Sequence, residues 1–248
     1  MNLLIRADDL GFSEAVNLGI AKTVKEGLIR NIGLMTNMPY SQHGYDLIKD
    51  NTVSLGLHTN ISTGKPLLPA EQIPSICDET GKFKSSREYR SAIEDFVNLE
   101  EVTAEIEAQY EAFRAITGRD PDYFEGHAVA SQNFFRGLET VAERHGLRYL
   151  PFMMGSSVTF GAARLFVEMD SMKPDYDPYK TLERIIHTEY DGIPVMVCHP
   201  GFLDAYLLSN SSLTHARAYE TEMLCDPASA ALLKKHDVTL VTYSEIYE

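Results

Sequence analysis

The sequence predicts an α/β protein folded as one β/α barrel, and three observations predict it. Short apolar segments alternate with segments whose apolar residues recur at helical spacing, as in consecutive βα units. The length of 248 residues is close to the roughly 250 residues that one such barrel needs. No linker separates the elements, so we expect a single domain over residues 1–248.

The first half of the chain predicts three strands, two helices and a long loop. Ser13 is a suitable N-cap for the first helix, and Gly27 is a natural stop. The predicted strands cover residues 2–7, 29–37 and 53–58, and the predicted helices cover residues 13–26 and 45–49. Residues 61–90 are rich in Gly, Pro, Ser and charge, which predicts an insertion loop. The loop would form either a substrate rim or a plain surface insertion.

The second half continues the same alternation. Its longest predicted helix places Val102, Ile106, Tyr110 and Phe113 on one face and ends at Gly118. The predicted helices cover residues 100–116, 134–145, 181–190 and 228–235, and the predicted strands cover residues 122–129, 148–152, 193–198 and 238–242.

Composition and charge exclude several functional classes. The formal net charge is −14 and no cluster of Lys and Arg interrupts it, so nucleic acid is not an expected partner. No apolar stretch approaches the ~20 residues that span a bilayer, and the N-terminus lacks a cleavable signal pattern. The 3 cysteines form no CxxC pair, which suits a reducing cytoplasm. A neutral small substrate is compatible with this charge, and a homodimer stays open.

Residues that bind metals or move protons recur where the predicted strands end. Asp8 and Asp9 follow the first strand, His58 ends the third, His127 lies in the fourth, and His199 follows an apolar strand. In a β/α barrel these strand ends share one face, where active sites are assembled. One carboxylate and two neutral imidazoles suit a divalent metal ion with open positions for water and substrate.

Each of these residues also has a purely structural interpretation. Asp8 and Asp9 precede Gly11 and would cap a helix or stabilise a turn, because short carboxylates accept hydrogen bonds from free backbone N–H groups. A lone His58 or His127 is more often a core histidine than a ligand. The convergence of four strand ends on one face favours a metal site.

Seven motifs give the chain a family resemblance that runs nearly end to end. They read ADDLG from residue 7, GLHTN from 56, TGKP from 63, GH from 126, CHPG from 198, RAYE from 217 and LCDP from 224. With these motifs the chain resembles the YdjC-like carbohydrate deacetylases, which are related to chitooligosaccharide deacetylases. The resemblance implies a distorted, TIM-like (β/α) barrel of the glycoside hydrolase/deacetylase type.

The resemblance also implies a site with one divalent metal ion. It assigns Asp9, His58 and His127 as the metal ligands, Asp8 as the catalytic base, and His199 as an acid that faces the metal. Nitrogen ligands favour Zn²⁺ or a similar transition ion, whereas the family is often assigned Mg²⁺.

Three more residues fall in the family motifs and are expected to bind substrate or support the site: Asn60, Arg217 and Glu220. Arg217 and Glu220, three apart on a predicted helix, would form either a bracing ion pair or an exposed pair worth about 0.3–0.5 kcal/mol. One departure follows Glu125, where the family has a histidine-rich run. Here the run reads EGHAVAS, so its first histidine, His127, is present and the later ones are missing.

These expectations predict a metal-dependent hydrolase that removes acetyl groups from N-acetylated sugars or short oligosaccharides such as chitooligosaccharides. The chain has no Trp, so a sugar-stacking platform would use Tyr or Phe, such as Phe202 after the His199 loop. A barrel glycosidase is one alternative, but it needs two carboxyl groups about 5–10 Å apart, and the side chains of Asp8 and Asp9 are expected to diverge. A sugar-binding or regulatory protein on a degenerate enzyme scaffold is the other, because the later histidines are missing.

Overall fold

A curled, mostly parallel sheet forms the centre of the fold in the computed structural model, which describes residues 1–151 and 157–247. Its strands are β1 (Asn2–Leu10), β2 (Asn31–Leu34), β3 (Ser54–Thr59), β4 (Phe124–Gly126), β5 (Ser157–Phe160), β6 (Ala163–Glu168), β7 (Ile193–Cys198) and β8 (Thr239–Leu240). They lie in the order β4-β3-β2-β1-β7-β6-β5, with β8 also paired to β1. Every pair is parallel except β5–β6. This sheet, with helices between its strands, confirms the predicted barrel-type fold.

Helices connect most of the parallel strands. They are α1 (Glu14–Glu26), α2 (Ser41–Ile48), α3 (Ser86–Ser91), α4 (Leu99–Thr117), α5 (Gln132–His145), α6 (Pro178–His187), α7 (Ala205–Asn210), α8 (His215–Cys225), α9 (Pro227–Lys235) and α10 (Tyr243–Ile246). The cap signals act as predicted, because the side chain of Ser13 accepts a hydrogen bond from the Val16 N–H and Gly118 is left-handed after α4. Among the described residues, no helix is both long and apolar enough to cross a bilayer.

The insertion loop at residues 61–90 is packed against the fold. It contains a short 3₁₀ helix, Ala70–Gln72, and an antiparallel bridge between Cys77 and Phe83. Tyr89 is buried and donates a hydrogen bond from its hydroxyl to the Ile61 carbonyl at 2.8 Å. The buried apolar residues of the loop join the main hydrophobic core, so the loop has a defined position beside the end of β3.

The structure corrects several predicted boundaries. The strand predicted at 122–129 is only Phe124–Gly126, so His127 follows β4 instead of lying within it. The strand predicted at 148–152 is reduced to one bridge between Tyr149 and Phe124, and residue 152 lies outside the described residues. The hairpin of β5 and β6 and the short helices α3, α7 and α10 were not predicted.

A bulge near the end of β1 departs from regular strand geometry. Ala7 pairs with Ile32 and Leu10 with Leu34, so β1 uses one residue more than β2 over this interval. Asp9 lies in the bulge at φ 73°, a left-handed conformation that few residues other than glycine adopt. Strained backbone of this kind persists only where surrounding contacts hold it, and it clusters at functional sites.

Candidate metal and proton-transfer site

Asp9, His58 and His127 come together at the C-terminal ends of β1, β3 and β4. The Asp9 Oδ1 lies 3.4 Å from the His58 Nε2 and 3.3 Å from the His127 Nδ1. The two imidazole nitrogens are 2.8 Å apart. Asp9 and His58 are buried and His127 is half-buried, so the cluster opens to solvent on the His127 side.

These three donor atoms fit a single divalent ion. The Asp9 Oδ1 is buried and has no hydrogen-bond partner within the described structure, which is costly for a carboxylate oxygen unless a cation or a proton donor approaches it. Ligands bound to one ion at about 2.0–2.2 Å lie roughly 3 Å apart, close to the three separations observed. The nitrogen-rich donor set suits a transition ion.

The bulge in β1 brings Asp8 to the same imidazole. Asp8, His58 and Glu125 form a second group whose ligand atoms lie within 4.8 Å of one another. Asp8 and Asp9 therefore both lie near His58, at the point where the bulge and the left-handed Asp9 interrupt the regular alternation of side chains along the strand. We assign the metal to the first group, because Glu125 already occupies the His58 Nδ1 and the remaining nitrogen, Nε2, faces Asp9 and His127.

Glu125 supports His58 from the side opposite the cluster. The two residues pair in register across β3 and β4, and the Glu125 carboxylate forms a short hydrogen bond with the His58 Nδ1. Such a contact keeps the proton on Nδ1 and leaves Nε2 free to bind a metal. Glu125 and Asp8 hold the pKa of His58 well above its usual value although burial opposes this, so metal binding has to displace a proton. The sequence analysis assigned no role to Glu125, although it stands two residues before His127.

Arg6 connects Asp8 to Glu125. Its guanidinium lies 2.7 Å from the Asp8 Oδ2 and 3.7 Å from a Glu125 oxygen, and it donates a hydrogen bond to the Tyr243 hydroxyl at 3.2 Å. Burial alone would raise the pKa of Asp8, but the positive charges of Arg6, His58 and His199 together outweigh burial and lower the pKa. The Asp8 Oδ1 remains without a partner among the described residues. Arg6 also went unassigned from the sequence, although a charge two residues before Asp8 in an apolar strand lies on the same face.

Arg217 pairs with Asp9 across the site. Its Nη2 lies 2.6 Å from the Asp9 Oδ2, and both side chains are 2% exposed. Burial raises the pKa of Asp9, but Arg217 and the nearby His127 hold it well below its usual range. Asp9 is therefore ionised, with one oxygen bound to the guanidinium and the other directed to the two histidines.

His199 follows β7 and is buried. Its Nδ1 lies 3.3 Å from the Ser171 hydroxyl, and its backbone N–H donates to the Glu220 Oε2 at 2.5 Å. Burial, together with the charge of Arg217, lowers the pKa of His199 to about 4 despite the opposing charge of Asp9. The ring is therefore neutral at neutral pH.

Glu220 and Arg217 do not form the bracing ion pair that was one expectation, and neither is an exposed helical residue. Both are buried on α8, and each contacts a different strand end, Arg217 at β1 and Glu220 at β7. The Glu220 Oε1 also accepts hydrogen bonds from the Ser171 and Tyr176 hydroxyls, each at 2.7 Å. Ser171 and Tyr176 lie between β6 and α6, and no local sequence pattern distinguished them.

Asn60 stabilises the start of the insertion loop. Its side-chain amide donates to the Asn37 Oδ1 at 3.0 Å and to the Thr63 carbonyl at 2.7 Å, and its carbonyl oxygen accepts from the Ser62 and Thr63 N–H groups. These bonds use both ends of the amide, and the side chain is buried. The geometry therefore gives Asn60 a supporting position at the end of β3.

Two exposed features lie near the C-terminal strand ends. Phe202, two residues beyond Pro200 in the loop after β7, is 41% exposed. A groove of about 490 Å³ lies between the insertion loop and the end of α7. Its lining is dominated by neutral hydrogen-bonding groups and carries one cation, Lys82; the hydroxyls are those of Ser62, Thr63, Ser85, Ser209, Ser211 and Ser212.

Comparison with known proteins finds relatives over the whole chain. Carbohydrate deacetylase 2 of Listeria innocua serovar 6a is 30% identical over 254 residues, which cover 99% of both chains. A crystal structure of a candidate cellobiose-phosphate cleavage protein from Enterococcus faecalis V583 superposes with a TM-score of 0.82 at 24% identity, covering 99% of this chain and 98% of that one. A family 4 acetyl xylan esterase from Clostridium thermocellum, solved in complex with a cobalt ion, shares the fold at a TM-score of 0.55 and 10% identity, covering 100% of this chain and 90% of that one.

A protein-family model shows to which family the chain belongs. The model described as YdjC-like protein matches residues 2–235, which include every residue of the metal cluster and of the contacts around His199. With this match and a relative at 30% identity over nearly the full length, the chain belongs to the YdjC-like protein family.

Proposed function

We propose that this protein is a metal-dependent deacetylase that removes acetyl groups from N-acetylated sugars or short oligosaccharides such as chitooligosaccharides. The observation that carries the proposal is the buried triangle of Asp9 Oδ1, His58 Nε2 and His127 Nδ1, with Asp8 and His199 beside it. The names of the full-length relatives, carbohydrate deacetylases, support the same reaction.

Asp9, His58 and His127 would hold the ion, which when bound lowers the pKa of a water molecule and polarises the acetyl carbonyl. Asp8 would accept the proton of that water through its free Oδ1. Arg6 holds the other oxygen of Asp8 and so fixes the direction in which the free oxygen points. Glu125 keeps His58 in the orientation that presents its Nε2.

His199 would give a proton to the departing nitrogen. Because its pKa is lowered to about 4, the resting ring is neutral, and its Nε2 would take up a proton from solvent water before giving that proton to the departing nitrogen. Its Nε2 is the atom for this transfer, since Nδ1 already contacts Ser171. Arg217, bound to Asp9 and close to the His199 carbonyl, adds positive charge at the same end of the site.

The donor set favours Zn²⁺ or a similar transition ion, and Mg²⁺ is the alternative. Two imidazole nitrogens and one carboxylate suit zinc or cobalt better than magnesium, which prefers oxygen ligands. The cobalt ion in the acetyl xylan esterase of the same fold supports this preference.

An oligosaccharide substrate is supported by the groove beside the insertion loop. Its neutral hydroxyl lining suits the many hydroxyl groups of a sugar, and Phe202 offers an exposed aromatic face. The overall negative charge is compatible with a neutral substrate. A cytoplasmic location and a homodimer stay predictions.

Acetate release from N-acetylated chitooligosaccharides tests the proposal. We expect the Zn²⁺-loaded protein to release acetate, and we expect His58→Ala or His127→Ala to lose both bound metal and activity while keeping the fold. His187→Ala, at an exposed histidine on α6, is the matched control and should retain both.

The same assay separates the two alternatives. A glycosidase would produce new reducing ends without acetate, and a sugar-binding protein would retain the oligosaccharide without changing it. Stoichiometric metal in purified His58→Ala would refute the ligand assignment.

A further inference from the structure

We propose that Ser171 and Glu220 are positioning residues that fix the tautomer of His199, holding its proton on Nδ1 so that Nε2 is the atom presented to the substrate. The inference rests on the proposed function for the role of His199. It concerns two residues on separate elements, Ser171 after β6 and Glu220 on α8, which meet behind the end of β7.

The donors and acceptors around Glu220 fix the direction of the chain of hydrogen bonds. The His199 backbone N–H is always a donor, so the Glu220 Oε2 accepts from it. The Oε1 receives the hydroxyls of Ser171 and Tyr176, each at 2.7 Å. A carboxylate with three donors around it is satisfied as an acceptor, although burial raises the pKa of Glu220.

Once the Ser171 hydroxyl donates to Glu220, its oxygen can only accept from His199. The His199 Nδ1 lies 3.3 Å from that oxygen, which favours an N–H at Nδ1. In a neutral imidazole, a proton on Nδ1 leaves Nε2 with a lone pair. Among the described residues, no group hydrogen-bonds to the His199 Nε2, so this atom is free to exchange a proton with the reacting group.

Burial makes the arrangement effective. Ser171 is 5% exposed, Glu220 is 0% exposed and His199 is 8% exposed, so water does not easily replace the serine as the partner of Nδ1. In a site of low polarity, hydrogen bonds that lead to a carboxylate are stronger than in water. Because Glu220 reaches the imidazole ring only through the Ser171 hydroxyl, the ring is oriented without a carboxylate placed against it.

The test measures the tautomer directly, by NMR of protein labelled at the histidine ring nitrogens. The His199 signals are identified by their loss in His199→Gln, and the Zn²⁺-loaded protein is used throughout. We expect wild-type His199 to carry its proton on Nδ1. In Ser171→Ala we expect a mixture of tautomers, and in Glu220→Gln a partial shift toward that mixture, because an amide is a weaker acceptor for the serine hydroxyl.

Activity supplies a second, independent measurement. We expect Ser171→Ala to lower kcat by roughly 10- to 100-fold with KM little changed, which is less than the ~10²–10⁴-fold cost of losing a proton donor. Ser171→Thr, which keeps a hydroxyl, should recover part of the loss. Ser91→Ala, at an exposed serine on α3 whose hydroxyl contacts only the backbone of its own helix, should leave kcat unchanged.

The spectrum can refute the positioning role independently of the proposed function. If Ser171→Ala keeps the Nδ1–H tautomer, the positioning role is wrong, whether or not the protein proves to be a deacetylase, because the spectrum requires no turnover. If the wild-type ring carries its proton on Nε2, the inference also fails. Should Ser171→Ala not fold, Glu220→Gln and Tyr176→Phe remove contacts of the same chain and decide the question by the same spectrum.

Discussion

Asp8 and Asp9 are adjacent in the chain, yet each carboxylate contacts a different arginine. Asp8 binds Arg6, and Asp9 binds Arg217. In each case one oxygen is held by the guanidinium while the other is buried without a partner among the described residues. The lowered pKa of each carboxylate keeps it ionised, which is the state that a metal ligand and a proton acceptor both require.

We expect substitutions of Asp8 and Asp9 to have different effects. Asp9→Asn should weaken Zn²⁺ binding, because it removes the negative ligand, whereas Asp8→Asn should bind Zn²⁺ normally and lower kcat by roughly 10²–10⁴-fold. Isothermal titration with Zn²⁺ and acetate release measure the two effects. Equal loss of metal in both variants would contradict the division of roles.

His199 predicts a pH dependence of stability. The pKa of His199 is lowered to about 4 in the folded protein, and an exposed histidine titrates near pH ~6.5. Between these values the unfolded chain binds a proton that the folded protein does not, so acidification through this interval favours unfolding. We expect His199 to reduce the free energy of unfolding by up to about 3 kcal/mol as the pH falls from 6.5 to 4.

Denaturant unfolding of the metal-free protein across this interval provides the measurement. His199→Gln should show a shallower loss of stability on acidification, and His187→Gln should follow the wild type, because His187 is exposed. An identical slope in His199→Gln and wild type would assign the titration to another group.

The residues proposed as metal ligands were predictable from the sequence, and most of the residues that contact them were not. Asp9, His58, His127 and His199 stand at strand ends, a position that local periodicity reveals. Glu125 supports His58 through pairing between two strands, and the strand register that makes them neighbours is a tertiary property. Ser171 and Tyr176 reach the site from a loop, so no periodic pattern identifies them.

Helix α1 packs directly on the loop that carries His199. An ideal Cβ at Gly19 would lie 2.4 Å from the Gly201 Cα, and the Phe202 N–H donates to the Ala15 carbonyl at 3.0 Å. The absence of a side chain at Gly19 lets the two backbones touch. The position of the His199 loop is therefore set by a helix from the opposite end of the chain.

Gly19→Ala tests whether the position of the His199 loop depends on this contact with α1. Alanine favours the helix by up to about 1 kcal/mol, but the contact with backbone atoms should cost roughly 1–3 kcal/mol or more, since a backbone moves less easily than a side chain. We expect lower stability in urea together with lower kcat. Leu18→Ala, at the exposed neighbour on the same helix, should change stability by less than about 0.5–1 kcal/mol. A stabilised Gly19→Ala with full activity would show that the loop adjusts freely.

Among the elements, those with strong local signals were predicted best. Helices α1, α4 and α5 have caps, glycine stops and apolar faces within their own sequence, and β7 is a continuous apolar run. The hairpin of β5 and β6 lacks such signals, because its strands are short and are stabilised by packing against Tyr243 and other distant residues. The short β4 depends on neighbouring strands more than on its own residues.

At the scale of the whole molecule, the ion pair of Asp9 and Arg217 joins residues 208 positions apart. It connects the first strand to α8 at the centre of the site. Removing the guanidinium would leave the buried Asp9 Oδ2 without its partner, and breaking a buried ion pair in this way typically costs about 3–5 kcal/mol.

Arg217→Met should therefore destabilise the metal-free protein by about 3–5 kcal/mol. Zn²⁺ should raise the Tm of this variant by more than it raises the Tm of the wild type, because the ion replaces the missing positive charge. Thermal unfolding with and without Zn²⁺ measures this. Arg164→Met, at an arginine whose side chain is 53% exposed and pairs with the 91% exposed Asp191, should change stability by about 1 kcal/mol or less. An equal Zn²⁺ effect in Arg217→Met and wild type would mean that Asp9 is not a ligand.

The proposed metal ligands and the residues around His199 lie in different parts of the sequence. All three assigned ligands precede residue 128, whereas His199 and the residues that contact it follow residue 170. A lineage that lost only His199 would keep the three proposed metal ligands and would lose the proposed proton donor. Under the proposed function, replacing His199 would therefore turn an enzyme that consumes acetylated sugar into a protein that only binds it.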